Sequence, residues 1–185
     1  MQAPSPGQFW KTPFIWEPGC PAPTSYGALR FVEADTQWLE QALGNVMANS
    51  LDESDQFAVS RGGSARAAAE LLAVCPEYFE HPADWWRAGV DAAGQSVGFV
   101  LPVLFKDRAK WKDGRPQGTI FYMGVLPECR GHAYAQALLA EATRIFLAAN
   151  CWRIFCDTAS CNAPMLNAFH KAGYKECSPW QRPVA

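Results

Sequence analysis

The chain has 185 residues, 49% of them apolar and 18% charged, with a formal net charge of −2. This length and balance suit one globular domain with a sizeable core and exclude a disordered chain. The slightly negative charge argues against a nucleic-acid partner, which needs a basic footprint, and no apolar stretch long enough for a membrane or secretory leader is expected.

From residue 2 to 27 the chain is dominated by Pro, Gly and aromatic residues, "QAPSPGQFWKTPFIWEPGCPAPTSYG". Its prolines exclude a long helix or a central strand. Residues 1–27 are therefore set apart as an N-terminal extension, with the domain over 28–185. "ALRFVEA" (28–34) predicts a first strand. Asp35 can cap the following helix, "TQWLEQALGNVMA", in which Trp38, Leu39, Ala42, Leu43 and Val46 recur at helical spacing. The polar "NSLDESDQ" that follows reads as a linker. "SARAAAELLAV" (64–74) predicts a second helix capped by Ser64, with Pro76 and Pro82 in the loop beyond it.

Residues 84–105 have the form of a hairpin turning near an Ala-Gly-Gln, and 106–118 read as a loop. "GTIFYMGVLP" (118–127) is a strand whose interior Gly124 signals a bulge or a close backbone approach. A helix over about 131–149 leads to a strand, "CWRIFCDTA" (151–159), and a short helix, "NAPMLNAFHKAGY" (162–174), closed by Gly173. One short strand can follow. This order predicts a mixed α/β (α+β) domain.

The cysteines are Cys20, Cys75, Cys129, Cys151, Cys156, Cys161 and Cys177. Their odd number and lack of a framework predict reduced thiols in a cytoplasmic setting. There is no C-x-x-C pair, and the even spacing of Cys151, Cys156 and Cys161 fits buried small hydrophobes better than metal ligands. No metal is expected.

The stretch "VLPECRGHAYAQALL" (125–139) runs a strand through Pro127 and Arg130-Gly131 into a helix that opens on small residues. The first turn of a helix has free N–H groups and the positive end of the macrodipole, which suits a phosphate. Gly131, Ala133 and Ala135 would let an anion approach, and Arg130 adds charge. The spacing matches neither G-x-x-x-x-G-K-[ST] nor G-x-G-x-x-G. On these residues alone, an ordinary strand-turn-helix serves equally well.

The same stretch resembles the acyl-CoA signature of the GNAT superfamily of N-acetyltransferases, V-x-P-x-x-[RQ]-x-x-G-x-[GA], between that family's fourth strand and third helix. Val125, Pro127, Arg130 and Ala135 match, and Ala133 stands where the family usually has Gly. If residue 133 is helical, that exchange is mild. "NAPMLNAFHKAGY" resembles the family's N-x-x-A-x-x-[LF]-Y-x-x-x-G-F segment: Asn162 and Gly173 fit and Tyr174 is close to the usual Phe. Met165, Ala168 and Phe169 depart, Phe169 taking the place of the usual Tyr. The resemblance covers about residues 28–182.

The resemblance implies a mixed, mostly antiparallel sheet flanked by helices, with a pyrophosphate loop after the fourth strand. It implies acetyl-CoA, or another acyl-CoA, as cosubstrate. The backbone of Met123 to Val125 would pair with the pantetheine arm. The N–H groups of Arg130, Gly131, His132, Ala133, Tyr134, Ala135 and Gln136 would hold the pyrophosphate. Asn162 would contact the pantetheine or acyl region, and Phe169 would lie beside the cofactor.

The implied activity is transfer of an acetyl group to a primary amine of a small molecule or peptide, by direct attack. The backbone N–H near Val125, at a bulge of the fourth strand, would polarise the thioester carbonyl. Asp157, near the end of the fifth strand, is the candidate base, acting through water. Phe169 cannot serve as the acid. The alternative is a non-catalytic acyl-CoA-binding or regulatory module. Asp52, Glu53 and Asp55 could favour a cationic acceptor, although a charge run is more often a solvated loop. Only eleven residues follow Tyr174, which leaves the sheet short and one edge open to a homodimer. Phe9, Trp10, Phe14 and Trp16 are costly to leave in water, so the segment around them is expected to dock on its own domain or on a second subunit.

Overall fold

The structure is a computed structural model that describes residues 8–21, 23 and 29–183. Residues 1–7, 22 and 24–28, all but the last from the Pro-rich segment, lie outside the described residues, as do the last two of the chain. Five helices accompany one sheet: β1 (Gln8–Trp16), β2 (Arg30–Glu33), α1 (Thr36–Ala48), α2 (Glu53–Gly62), α3 (Ser64–Tyr78), β3 (Phe79–Glu80), β4 (Arg87–Val90), β5 (Ser96–Phe105), β6 (Gln117–Val125), α4 (Tyr134–Ala148), β7 (Arg153–Ala159), α5 (Ala163–Lys171), β8 (Lys175–Glu176) and β9 (Trp180–Pro183). The sheet order is β2-β4-β5-β6-β7-β1-β8, with β3 on β5 and β9 on β1. Among these pairs only β6 and β7 run parallel. The mixed, mostly antiparallel sheet flanked by helices agrees with the sequence reading.

Strand β5 is buried on both faces and its alternate residues divide the core. Phe99 and Leu101 meet Leu39, Leu43 and Met47 of α1 and Ala67 and Ala68 of α3. Val100 faces the other way, toward Leu138, Leu139, Ala142 and Phe146 of α4. As expected, Asp35 caps α1, its carboxylate accepting the Trp38 N–H at 2.8 Å. The hairpin turns at Asp91, whose carboxylate accepts the N–H groups of Ala93 and Gln95. Gly124 marks a close approach: a Cβ there would lie 2.6 Å from Val46 of α1.

Several local expectations are corrected. The polar stretch at 49–56 is not all linker, because α2 starts within it. Asp52 is its N-cap and Glu53 and Asp55 fill its first turn, but no residue of α2 is fully buried, so it lacks the apolar period by which helices are found. Helix α3 runs on through Pro76 to Tyr78, and Gly63, at φ +83°, holds the cap position expected for Ser64. Pro76 removes one N–H near the helix end, and Lys106 Nζ donates to its carbonyl at 2.5 Å. Helix α4 begins at Tyr134 and not at 131, because Ala133 is left-handed at φ 60°.

The largest correction concerns the Pro-rich segment. Its residues 8–16 form an interior strand, antiparallel to β7 from Lys11↔Ala159 to Trp16↔Ile154, with β8 and β9 along its other edge. Pro13 is tolerated for a geometric reason. Its carbonyl accepts the Cys177 N–H at 2.8 Å. A residue's N–H and C=O share one side of a strand, so the missing donor faces the break between β8 and β9, where no ladder bond is required. Phe14 is fully buried and stacks on Phe169 at 4.7 Å, and Trp16 is 3% exposed with its indole N–H on the Pro21 carbonyl. The segment around Phe9 to Trp16 thus docks on its own chain.

Candidate active site

Strands β6 and β7 pair only at Gln117↔Arg153 and Gly118↔Ile154. Beyond that they diverge, because the other edge of β7 is held by β1 while β6 stays on β5. The β5–β6 register shifts between Leu101 and Pro102, which leaves Phe121 as the extra residue of a bulge in β6. The bulge therefore lies at Phe121 and not near Val125, as the sequence reading had it. Val125 stands opposite Gly98, and the Leu126 N–H reaches the Val97 carbonyl at 2.9 Å. Val125 is thus at a position not bonded to β5, and the N–H groups of Met123 and Val125 point into the gap beside β7.

The gap opens into a cavity of about 540 Å³. The structure brings Met123, Val125, Arg130, Gly131, Ala133, Tyr134, Ala135, Asp157, Asn162 and Phe169 onto its walls; His132 and Gln136 are not among its lining residues. The loop from β6 to α4 explains the difference. Gly131 has φ +89° and Ala133 φ +60°, a turn that carries the backbone around the head of α4. Among the described residues the N–H groups of Gly131 to Ala135 have no acceptor in the chain, whereas that of Gln136 is taken by the Ala133 carbonyl at 3.0 Å. The Arg130 N–H is likewise taken, by the Pro127 carbonyl at 3.4 Å, so the open N–H groups of the expected run from Arg130 to Gln136 are those of Gly131 to Ala135. His132 is exposed, with its ring 5.5 Å from that of Tyr134.

Arg130 also works differently from the expectation. Its Nη1 donates to the Asn49 carbonyl at the end of α1 (3.0 Å) and its Nε to the Val125 carbonyl (3.4 Å). The guanidinium ties the loop to α1 and to the end of β6. Asn162 is the N-cap of α5, accepting the Met165 N–H at 3.4 Å and donating to Thr158 Oγ1 at 3.3 Å. Phe169 is 3% exposed and packs between Phe14 and Tyr174. Burial pushes the Cys156 thiol up to about 12, so this cavity-wall cysteine stays protonated and inert.

The opposite wall comes from residues the sequence reading left in a solvated linker. Asp52 is buried and receives Lys11 Nζ of β1 at 2.6 and 2.7 Å, the Ser54 N–H at 2.9 Å and the Ala159 N–H of β7 at 2.9 Å. Burial alone would raise its carboxyl; Lys11 and these hydrogen bonds outweigh that and hold it below the ordinary range. One turn on, Asp55 accepts Ser50 Oγ at 2.6 Å and the Tyr122 hydroxyl at 2.7 Å. Burial and the neighbouring Asp52 carboxylate raise the Asp55 carboxyl. Burial and Asp55 likewise keep the Tyr122 hydroxyl protonated, as a donor. The cap pattern of Asp52 was legible in the sequence; the meeting with Lys11 and Tyr122 was not.

The family model for the acetyltransferase (GNAT) family matches residues 45–174. That is most of the chain, and the chain belongs to this family, whose members use acetyl-CoA as acyl donor. No curated protein matches in sequence. The fold is shared with a GCN5-related N-acetyltransferase of Sphaerobacter thermophilus (16% identity, TM-score 0.58, 95% of this chain and 51% of that one) and a GNAT-family acetyltransferase of Colwellia psychrerythraea (15%, 0.53, 95% and 53%). It is shared also with a fungal glucosamine N-acetyltransferase region within a multi-domain β-N-acetylglucosaminidase (12%, 0.58, 93% and 20%). The chain spans about half the length of the first two. Among the described residues no helix is long and apolar enough to cross a membrane, and no group of three His, Cys, Asp or Glu is placed to hold a metal ion.

Proposed function

We propose that this chain is an acyl-CoA-dependent N-acyltransferase that moves an acetyl group to a primary amine of a small molecule or peptide. The observation that carries the reading is the run of unpartnered N–H groups from Gly131 to Ala135, set at the head of α4 beside the gap between β6 and β7. Small residues at 131, 133 and 135 leave that backbone open to a pyrophosphate, and the gap-facing edge of β6 offers a strand-like partner to a pantetheine arm. Asn162, at the start of α5, lines the same cavity. When bound, acyl-CoA supplies a thioester: the amine nitrogen forms the new C–N bond, the C–S bond breaks, and the proton lost by the amine is matched by the one the thiolate gains.

The residues divide that work. The Val125 N–H faces the gap and is the oxyanion donor. Of the Asp52 and Asp55 pair, Asp55 is the better proton acceptor, because burial and Asp52 raise it and because Ser50 and Tyr122 fix it. Asp157, on β7, reaches the amine through water. Phe169 has no proton to give, and a thiolate leaves without one. Residues 28–185 are the acyltransferase domain, completed by β1 from the N-terminal segment. All seven cysteines are free, which fits a cytoplasmic setting.

Phe169 also favours a second reading, a non-catalytic acyl-CoA-binding module. Calorimetry with coenzyme A and free-thiol release from acetyl-CoA with a panel of amines and peptides separate the two. Binding with turnover is expected. Binding without turnover on any amine would leave the module, and no binding would end both readings.

A further inference from the structure

We propose that Lys11, on the first strand of the chain, is a positioning residue of the acyl-transfer site, holding the start of α2 through Asp52 so that Asp55 keeps its place and its charge beside Tyr122. The proposal rests on the acyltransferase reading given above. The Lys11 side chain is 4% exposed, and its ammonium reaches both Asp52 oxygens and Ser54 Oγ (2.8 Å). Asp52 in turn accepts the N–H of Ala159, the last residue of β7, and the N–H of Ser54 in the first turn of α2. One carboxylate thus joins β1, β7 and α2 at a single point on the cavity wall. Asp55 follows three residues after Asp52, in the first turn of α2, and its carboxylate accepts the Tyr122 hydroxyl of β6.

The electrostatic consequence is specific. Without a cation, Asp52 and Asp55 would confront each other in a partly buried site, and like charges there disfavour ionisation. Lys11 offsets Asp52, so that Asp55 can ionise and receive an ammonium or take its proton. The titratable groups that act on Asp55 are Lys11 from β1, Asp52 from its own helix and Tyr122 from β6; Asp157 and Cys156 of β7 and Cys129, Arg130 and Tyr134 after β6 line the rest of the cavity. Lys11 lies outside the region matched by the family model, residues 45–174.

The two halves of the bridge should act with opposite sign. Lys11→Met leaves Asp52 uncompensated and moves the Asp55 titration to higher pH. Asp52→Asn removes the like charge and moves it to lower pH. Lys11→Arg keeps the charge and leaves it in place. A bridge that served only to hold strands together would give both breaking variants the same effect.

Carbon-13 NMR of the Asp55 carboxyl through a pH titration reads this in the full chain, with or without turnover. The acid limb of kcat/KM for amine acetylation should follow with the same signs, so that on that limb kcat/KM falls in Lys11→Met and rises in Asp52→Asn. If Lys11→Met does not fold, the downward shift in Asp52→Asn carries the test alone. Shifts of the same sign, or none, in protein that still binds coenzyme A by calorimetry would overturn this proposal and leave the acyltransferase reading intact. A parent chain that binds no coenzyme A would overturn that reading, and this proposal with it.

Discussion

Ala133 carries a cost that the family's usual Gly would not. An L-residue held at φ 60° has its Cβ against the following carbonyl, a penalty of about 1–2 kcal/mol that Gly escapes. Ala133→Gly should therefore stabilise the folded chain by about 1 kcal/mol, part of the gain being lost to the freer unfolded chain. Scanning calorimetry should show a melting temperature higher by roughly 2–4 °C, with coenzyme A affinity kept or improved. Asp55 is strained in a different sense. Its folded carboxyl is raised above the unfolded value, so it binds a proton more readily when folded, and stability falls as pH rises from the ordinary carboxylate range through the raised midpoint. Asp55→Asn should remove that loss: a higher melting temperature at pH 7 together with a large drop in amine acetylation. An unchanged rate would take Asp55 out of the chemistry.

At the scale of elements, β1 decides whether the sheet is whole. It lies between β7 and the last two short strands, and Phe14 stacks on Phe169 in the core shared with α4 and α5. Phe14→Ala should destabilise by about 3–5 kcal/mol, the usual cost of emptying a buried aromatic site, read as a lower denaturant midpoint. Deleting residues 1–16 should do more, since it strips β7 of its neighbour and exposes an edge prone to pairing with other chains. A truncated protein with the parent's melting temperature and monomer content would show that β1 contributes nothing to the sheet.

For the whole molecule, the buried bridge from Lys11 to Asp52 links the start of the chain to the cavity. Asp52's folded carboxyl is held below its unfolded value. The stability it contributes is therefore present above the ordinary carboxylate range and is lost as pH falls through the folded midpoint. Acid unfolding of the parent should show this loss below about pH 4. In Asp52→Asn that part of the acid dependence should vanish, while stability at pH 7 falls by about 3–5 kcal/mol because Lys11 is left buried without its partner.

Much of the fold was legible along the chain. The periods of α1 and α4, the Asp35 cap and the two signature stretches around Arg130 and Asn162 are local features, written in spacing and in residue type. The loop proposed to hold the pyrophosphate is local too, because a helix start and small residues suffice to describe it. Three things were decided only by tertiary structure. The Pro-rich opening became an interior strand because Pro13 happens to face a break in the neighbouring ladder, and no local rule reports what lies across a strand. Arg130 turned to the end of α1, where an unpaired carbonyl competes for it. Asp52 and Asp55 left the class of solvated linker charges because Lys11, 41 residues upstream of Asp52, and Tyr122, 67 residues downstream of Asp55, meet them in the cavity. Burial and long-range pairing set the charge of such groups, and neither is a property of the local sequence.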